Sequence, residues 1–138
     1  MEASAKGGKD AGGSTIGVIT RFYPHSNANR WIDDVITVGT IVERLQKLIS
    51  LGDGYVVLKG GTGTLLELAA TWEMMNKHVI ERKPLVVLRD FWNGVVKTIQ
   101  DELIYERQEE STHIVSMART PADCVDILLD GIGVRYEA

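Results

Sequence analysis

Residues 55–67 read YVVLKGGTGTLLE, and the prediction for the whole chain starts from them. The segment opens with four apolar residues, two of them β-branched, continues through three glycines within four positions, and then takes on helical spacing. We expect a buried strand that turns sharply into a helix. Glycine favours such a turn because it lacks a Cβ, and it also lets backbone N–H groups approach a bound group closely.

The same alternation extends in both directions along the chain. Other apolar runs occupy residues 15–20, 34–38, 85–88 and 113–117, and helical spacing occupies residues 40–51, 64–78, 91–107 and 121–129. Residues 2–11 also suit a helix, and the polar residues 107–112 suit a surface connection. Runs that are apolar on both faces indicate buried parallel strands. The sequence therefore predicts an α/β fold, a Rossmann-like open parallel sheet of about five strands with helices on both faces.

Size and composition predict one domain over residues 1–138. A hydrophobic fraction of 44% and a charged fraction of 25% are ordinary for a globular protein. The net charge of −4 argues against nucleic acid or a membrane surface as a partner, because both are anionic. The single cysteine, Cys124, is expected to be a small buried apolar residue. Without an apolar run of membrane-spanning length or a signal-peptide pattern, we expect a cytoplasmic protein.

The glycine-rich corner is the strongest candidate for a binding site. A helix N-terminus after it supplies unpaired N–H donors and a partial positive charge, which together suit the phosphate of a nucleotide-like ligand. The loop is neither a Walker A sequence nor a complete Gly-x-Gly-x-x-Gly fingerprint. A tight strand-to-helix corner without a ligand is the alternative. The candidate phosphate-binding residues are Gly60, Gly61, Thr62, Gly63 and Thr64.

Two charged residues near this corner each have two interpretations. Glu67 follows Thr64 by three residues, so we expect it in the first turn of the helix, either beside the ligand's sugar or serving the helix dipole or a capping box. Arg44, on the preceding helix, either contacts a phosphate or carboxylate or is a solvated residue paired with a nearby acid. Thr64 itself is a candidate helix cap.

The polar residues 21–31 follow the first predicted strand and therefore lie at the ligand-binding edge of the sheet. The candidate recognition residues among them are Arg21, His25, Asn27, Asn29 and Arg30. Recognition of a base or phosphate and a loop without a ligand role are both open interpretations.

Three segments resemble a known family. Residues 59–67, KGGTGTLLE, match the signature Pro-Gly-Gly-x-Gly-Thr-x-x-Glu at every fixed place except the first, where Lys59 replaces proline. A second element, Met-x-x-Arg-Lys, is matched only by Arg44, since Leu45 replaces the lysine. Residues 11–18 resemble the strand entry Ala-Gly-Gly-x-x-Ile-Gly-Val. The chain thus resembles the LONELY GUY (LOG) proteins, formerly labelled possible lysine decarboxylases and associated with cytokinin riboside 5′-monophosphate phosphoribohydrolase activity.

The resemblance implies an enzyme that hydrolyses the N-glycosidic bond of a nucleoside 5′-monophosphate to free base and ribose 5-phosphate. It assigns Glu67 and Arg44 to catalysis and residues 60–64 to phosphate binding, without a metal or cofactor. It also implies a homodimer or higher homo-oligomer. Compared with the family pattern, the chain is expected to be short at its N-terminus, lacking an earlier strand and loop.

A non-catalytic binding protein is the alternative function, because the related molybdenum-cofactor carriers use the same fold. A bare assembly partner that binds no ligand is a third interpretation. A pyridoxal-dependent decarboxylase is not favoured, because no lysine has a context that singles it out as a Schiff-base residue.

Overall fold

The five predicted strands and the helices predicted between them occur along the chain in the expected order. The computed structural model describes residues 1–22 and 28–133, so His25 and Asn27 lie outside the described residues. These residues fall into two compact units, Met1–Leu51 and a second unit that begins at Gly52. The expectation of a single domain stays a prediction.

The first unit holds two parallel strands and two helices. They are α1 (Glu2–Asp10), β1 (Ile16–Thr20), β2 (Asp34–Val38) and α2 (Ile41–Leu51). β1 pairs with β2 so that Ile16 lies opposite Asp34. The carboxylate of Asp33 fixes the start of this pair, because its Oδ2 accepts a hydrogen bond from the Thr15 N–H at 2.9 Å.

The second unit is a three-stranded parallel sheet with helices on both of its faces. Its elements are β3 (Tyr55–Val57), α3 (Thr62–Asn76), β4 (Leu85–Leu88), a 3-10 turn (Asp90–Trp92), α4 (Asn93–Tyr105), α5 (Glu109–Thr112), β5 (Val115–Ala118) and α6 (Pro121–Ile132). The strand order is β3-β4-β5, which makes β4 the central strand.

Successive side chains of β4 enter two different hydrophobic cores. Leu85 and Val87 pack with residues of α3 and α4, whereas Val86 packs with residues of α6. This alternation follows from the period of two in a strand, and it places α3 and α4 on one face of the sheet and α6 on the other. The parallel strands and flanking helices confirm the predicted α/β, Rossmann-like fold class. Cys124 is buried in the core on the α6 side, as expected.

Several boundaries differ from the sequence prediction. α3 begins at Thr62 rather than Thr64. The predicted connection at 107–112 contains the short helix α5, in which Ser111 is buried. Not every strand is buried, since β2 has no fully buried residue and Val35 is 49% exposed. Among the described strands, β2 pairs with β1 alone. Within residues 1–22 and 28–133, the helices lack the length and apolar character that a membrane span requires.

Candidate functional site

The N-terminus of α3 lies directly after the glycine corner and carries no side-chain cap. Its N-cap is Gly61, with backbone angles in the extended region, and no side chain accepts a capping hydrogen bond there. The N–H of Leu65 donates to the Gly61 carbonyl at 3.0 Å. The amides of residues 61–64 precede that helical bond and therefore have no acceptor within the helix. The predicted cap at Thr64 is wrong, because Gly61 occupies the N-cap position and α3 begins at Thr62, two residues before its expected start.

Two other helices begin differently. At α2, the Glu43 carboxylate accepts from the Gly39 N–H at 2.6 Å, and the Glu43 N–H donates to Thr40 Oγ1 at 3.1 Å. At α6, Thr120 and Asp123 form the reciprocal capping box. These side chains satisfy the donors that an anion would otherwise contact. In contrast, the first turn of α3 contains no acidic residue.

The three glycines of the corner have different surroundings. A Cβ added to Gly60 would meet the side chain of Thr64, at 2.8 Å from its Cβ. A Cβ added to Gly61 or Gly63 would have no neighbour within 4 Å. Internal packing therefore requires glycine at position 60 but not at positions 61 and 63. At positions 61 and 63, the absence of a side chain leaves the backbone amides open to approach.

Glu67 lies in the second turn of α3 and is half-buried. The expected first-turn position is wrong because the helix begins at Thr62. Glu67 is then not the third helical residue, so the capping-box interpretation fails. Helical spacing places Glu67 on the same face as Gly63 and Thr64, four and three residues earlier. Its backbone carbonyl accepts a hydrogen bond from Thr71 Oγ1 at 2.6 Å.

Arg44 lies in the first turn of α2, in the first unit. Its Nε donates a hydrogen bond to the carbonyl of Val18 in β1 at 3.0 Å, and the residue is half-buried. This contact fixes the guanidinium against the strand instead of leaving it fully solvated. The glycine corner and Glu67 belong to the second unit, where they lie at the start of α3 and in its second turn. Arg44 belongs to the first unit.

The likeness to known proteins extends over most of the chain. A family model described as "Possible lysine decarboxylase" matches residues 1–128. The chain belongs to this LONELY GUY (LOG) family.

Three curated relatives share one name, cytokinin riboside 5′-monophosphate phosphoribohydrolase. The Mycobacterium tuberculosis protein is 33% identical over 110 residues, which are 71% of this chain and 57% of that protein. The Mycobacterium marinum protein is 33% identical over 73 residues, 52% of this chain and 39% of its own length. The Rhodococcoides fascians protein is 30% identical over 95 residues, which are 65% of this chain and 46% of that protein. The chain thus spans about half the length of the curated relatives it matches.

Residues 89–92 of this LOG family member lie beside the glycine corner, and the sequence prediction did not include them among the candidate site residues. The 3-10 turn after β4 is joined to the end of β3, because Trp92 Nε1–H donates to the Leu58 carbonyl at 3.0 Å. The Nζ atom of Lys59 lies 5.7 Å from the centre of the exposed Phe91 ring. Residues 89–92 directly follow β4, and ligands bind at the carboxyl ends of parallel strands. This rule could have identified them from the sequence.

A separate cavity lies at the opposite edge of this sheet. It has a volume of about 290 Å³, and its lining includes Pro84 and Ile114, which directly precede β4 and β5. None of residues 58–67 lines it. This cavity opens at the amino ends of the strands, whereas the glycine corner follows the carboxyl end of β3. The two features are therefore distinct.

Proposed function

We propose that this chain hydrolyses the N-glycosidic bond of a nucleoside 5′-monophosphate and releases free base and ribose 5-phosphate. One arrangement carries the proposal, namely an uncapped helix N-terminus at a glycine corner with a carboxylate one turn further along the same helix face. The names of the three LOG relatives, each a cytokinin riboside 5′-monophosphate phosphoribohydrolase, support it.

The glycine corner is proposed to bind the 5′-phosphate. The amides of residues 61–64 point along the start of α3, where the helix dipole favours negative charge. Gly61 and Gly63 leave room for phosphate oxygens to reach these amides, because a side chain at either position would intrude on that space. The hydroxyl groups of Thr62 and Thr64 add further donors.

Glu67 is proposed to act at the bond that breaks. Cleavage of an N-glycosidic bond develops positive charge on the sugar, and a nearby carboxylate stabilises this charge or orients the attacking water. Water supplies its hydroxyl to C1′ of the ribose, and its proton leaves with the base. Arg44 is proposed to hold the anionic end of the substrate in register.

Product analysis with purified protein tests this proposal. We expect ribose 5-phosphate and free base from AMP or from a cytokinin riboside 5′-monophosphate. Glu67→Gln should lower turnover by about a hundredfold or more, since the carboxylate acts only when charge develops, while phosphate affinity changes little. The control is Glu73→Gln, which removes an exposed carboxylate from the same helix. Absence of product with the wild type, or full activity of Glu67→Gln, would contradict the proposal.

Equilibrium binding measurements distinguish the proposed hydrolase from the alternative function, a non-catalytic binding protein. A non-catalytic carrier binds the nucleotide tightly and releases no product. We also propose a cytoplasmic location and, as the family resemblance implies, a homodimer or higher homo-oligomer. Light scattering after size-exclusion chromatography measures the oligomeric state directly.

A further inference from the structure

The peptide that leads from β3 into the glycine corner is held by a side chain of a neighbouring segment. The register of β3 with β4 ends at the pair Val57 and Val87, so Leu58 lies one residue beyond the paired part of the strand. Its carbonyl accepts a hydrogen bond from the indole Nε1–H of Trp92 at 3.0 Å. A side chain thus supplies the donor at the point where the strand pairing ends.

This hydrogen bond sets the orientation of the peptide that opens the corner. The Leu58 carbonyl and the Lys59 N–H belong to one planar trans peptide unit, so fixing one fixes the other. Two residues separate Leu58 from Gly61, the N-cap of α3. Gly60 has little room to absorb a shift, because the side chain of Thr64 lies beside it. We therefore expect a displacement at Leu58 to reach the first amides of α3.

A sharp bend after β4 brings Trp92 to β3. Arg89 has a φ of 65° and a ψ of −177°, a conformation in which a residue with a Cβ is strained and which persists only where its surroundings hold it. The Arg89 N–H donates to the Ala118 carbonyl at 2.7 Å, so the chain follows β5 as far as Arg89 and then turns towards β3. Trp92 is buried in the core on the α3 side of the sheet. This burial and the bond to Ala118 hold the bend.

The neighbouring residue of the 3-10 turn contacts the next residue of the corner. The Phe91 ring lies 5.7 Å from Lys59 Nζ and packs edge-on against Trp92, with ring centres 4.9 Å apart. Two successive residues of the turn therefore contact two successive residues that lead into the corner. The contact of Trp92 is the firmer one, because its donor belongs to a buried side chain, whereas Phe91 is 49% exposed.

We propose that Trp92 is a positioning residue for the phosphate site at the glycine corner. It acts through the Leu58 carbonyl and does not itself touch the substrate. The inference rests on the proposed function, because that function places the 5′-phosphate on the first amides of α3. Donors that are already aligned bind an anion without first being ordered, so loss of their alignment lowers the affinity.

Trp72 provides a matched control. It is also a buried tryptophan of the same core, and its Nε1–H donates to the Ser111 carbonyl at 3.0 Å. It lies in the later part of α3, away from the corner. Trp92→Phe and Trp72→Phe each remove one indole hydrogen bond and keep an aromatic ring. We expect a similar fall in melting temperature in both variants, since the two lost bonds are alike.

Calorimetric titration with AMP distinguishes the two variants. Trp92→Phe should bind AMP about tenfold more weakly than the wild type, because small misplacements of binding groups are costly. Trp72→Phe should bind as the wild type does. Amide exchange measured by NMR without ligand should be faster at Leu65, whose N–H makes the first helical bond of α3 to Gly61, in Trp92→Phe but not in Trp72→Phe. Equal AMP affinities of the two variants, or unchanged exchange at Leu65 in Trp92→Phe, would overturn the inference.

The indole N–H signals of the wild type give a test without substitution. Saturation with AMP should shift the signal of Trp92, which is bonded to the peptide that opens the corner, and leave that of Trp72 in place. A stationary Trp92 signal would overturn the inference even if Trp92→Phe fails to fold. A chain that binds AMP without hydrolysing it disproves the proposed reaction alone. If the wild type binds no AMP, the proposed phosphate site is wrong, and exchange at Leu65 decides the positioning role by itself.

Discussion

The side chain of Thr64 occupies the space that a Cβ on Gly60 would need, with the two β-carbons only 2.8 Å apart. This separation is shorter than any ordinary contact between side-chain atoms. Gly61 and Gly63, in the same corner, have open space at the equivalent position. The glycines of one loop thus serve two purposes, close packing at position 60 and access to the helix amides at positions 61 and 63.

Gly60→Ala is expected to destabilise the fold. The added methyl group would displace Thr64 from the first turn of α3, and overpacking of this kind costs about 1–3 kcal/mol. Chemical denaturation of the wild type and the variant measures the difference. An unchanged free energy of unfolding would show that the corner relaxes easily, contrary to the packing described above.

Gly63→Ala is expected to weaken phosphate binding without loss of stability. Gly63 is the second residue of α3, and Gly94 is the second residue of α4, so Gly94→Ala is a matched control. Neither added Cβ meets an atom within 4 Å, and alanine within a helix is favoured over glycine by roughly 0.5–1 kcal/mol. Thermal unfolding should show both variants at least as stable as the wild type.

Titration with AMP then distinguishes the two variants. Gly63→Ala should lose about tenfold or more in affinity because the methyl group enters the phosphate space. Gly94→Ala should bind as the wild type does. Equal affinities would mean that the phosphate does not approach α3 at this residue.

The positions of two strands could be predicted from the residues within and directly beside them. Leu85–Leu88 and Asp34–Val38 have the predicted bounds. Proline, glycine or a charged residue flanks each run, namely Pro84 and Arg89 for the first and Asp33 and Gly39 for the second. The start of α3 was predicted two residues late. Thr62 and Thr64 both have the chemistry of a cap, yet Gly61 takes that position because the chain has already turned there. The residue types alone did not distinguish these possibilities.

The candidate site was predictable only where its residues are close in sequence. The glycine corner and Glu67 share one segment, so their association follows from helical spacing. Lys59 and Phe91 lie more than thirty residues apart. Their proximity depends on the pairing of β3 with β4 and on the hydrogen bond from Trp92 to Leu58. Contacts of this kind require the strand order, which the sequence pattern did not provide.

Asp33→Asn is expected to destabilise the first unit at neutral pH but not in strong acid. The hydrogen bond from Lys9 Nζ, at 2.6 Å, is the main cause that lowers the pKa of Asp33 below its ordinary value of 3.8, followed by the Thr15 N–H. A lowered pKa means that the folded state favours the carboxylate. The resulting stability is fully present above the pKa that Asp33 has in the unfolded state. It is lost as the pH falls through the lower pKa of the folded state.

Unfolding curves between neutral pH and pH 2 measure this effect. The difference in the free energy of unfolding between the wild type and Asp33→Asn should narrow as the pH falls below about 4, where the carboxyl group of the unfolded chain becomes protonated. Lys9→Met removes the principal donor and should reproduce part of the loss at neutral pH. A difference that stays constant with pH would exclude the carboxylate charge as its source.

Arg44 variants should separate a structural role from substrate binding. Replacement by glutamine removes the bond from Nε to the Val18 carbonyl, which is expected to lower the stability by about 1 kcal/mol. If Arg44 also holds the anionic end of the substrate, Arg44→Gln raises KM more than it lowers kcat, because such binding is common to the ground and transition states. Arg44→Lys keeps the charge but lacks the planar fork, so it should recover only part of the affinity. Steady-state kinetics at a temperature where all three proteins are fully folded measures this directly. An unchanged KM in Arg44→Gln, together with reduced stability, would assign Arg44 to the packing of α2 on β1 alone.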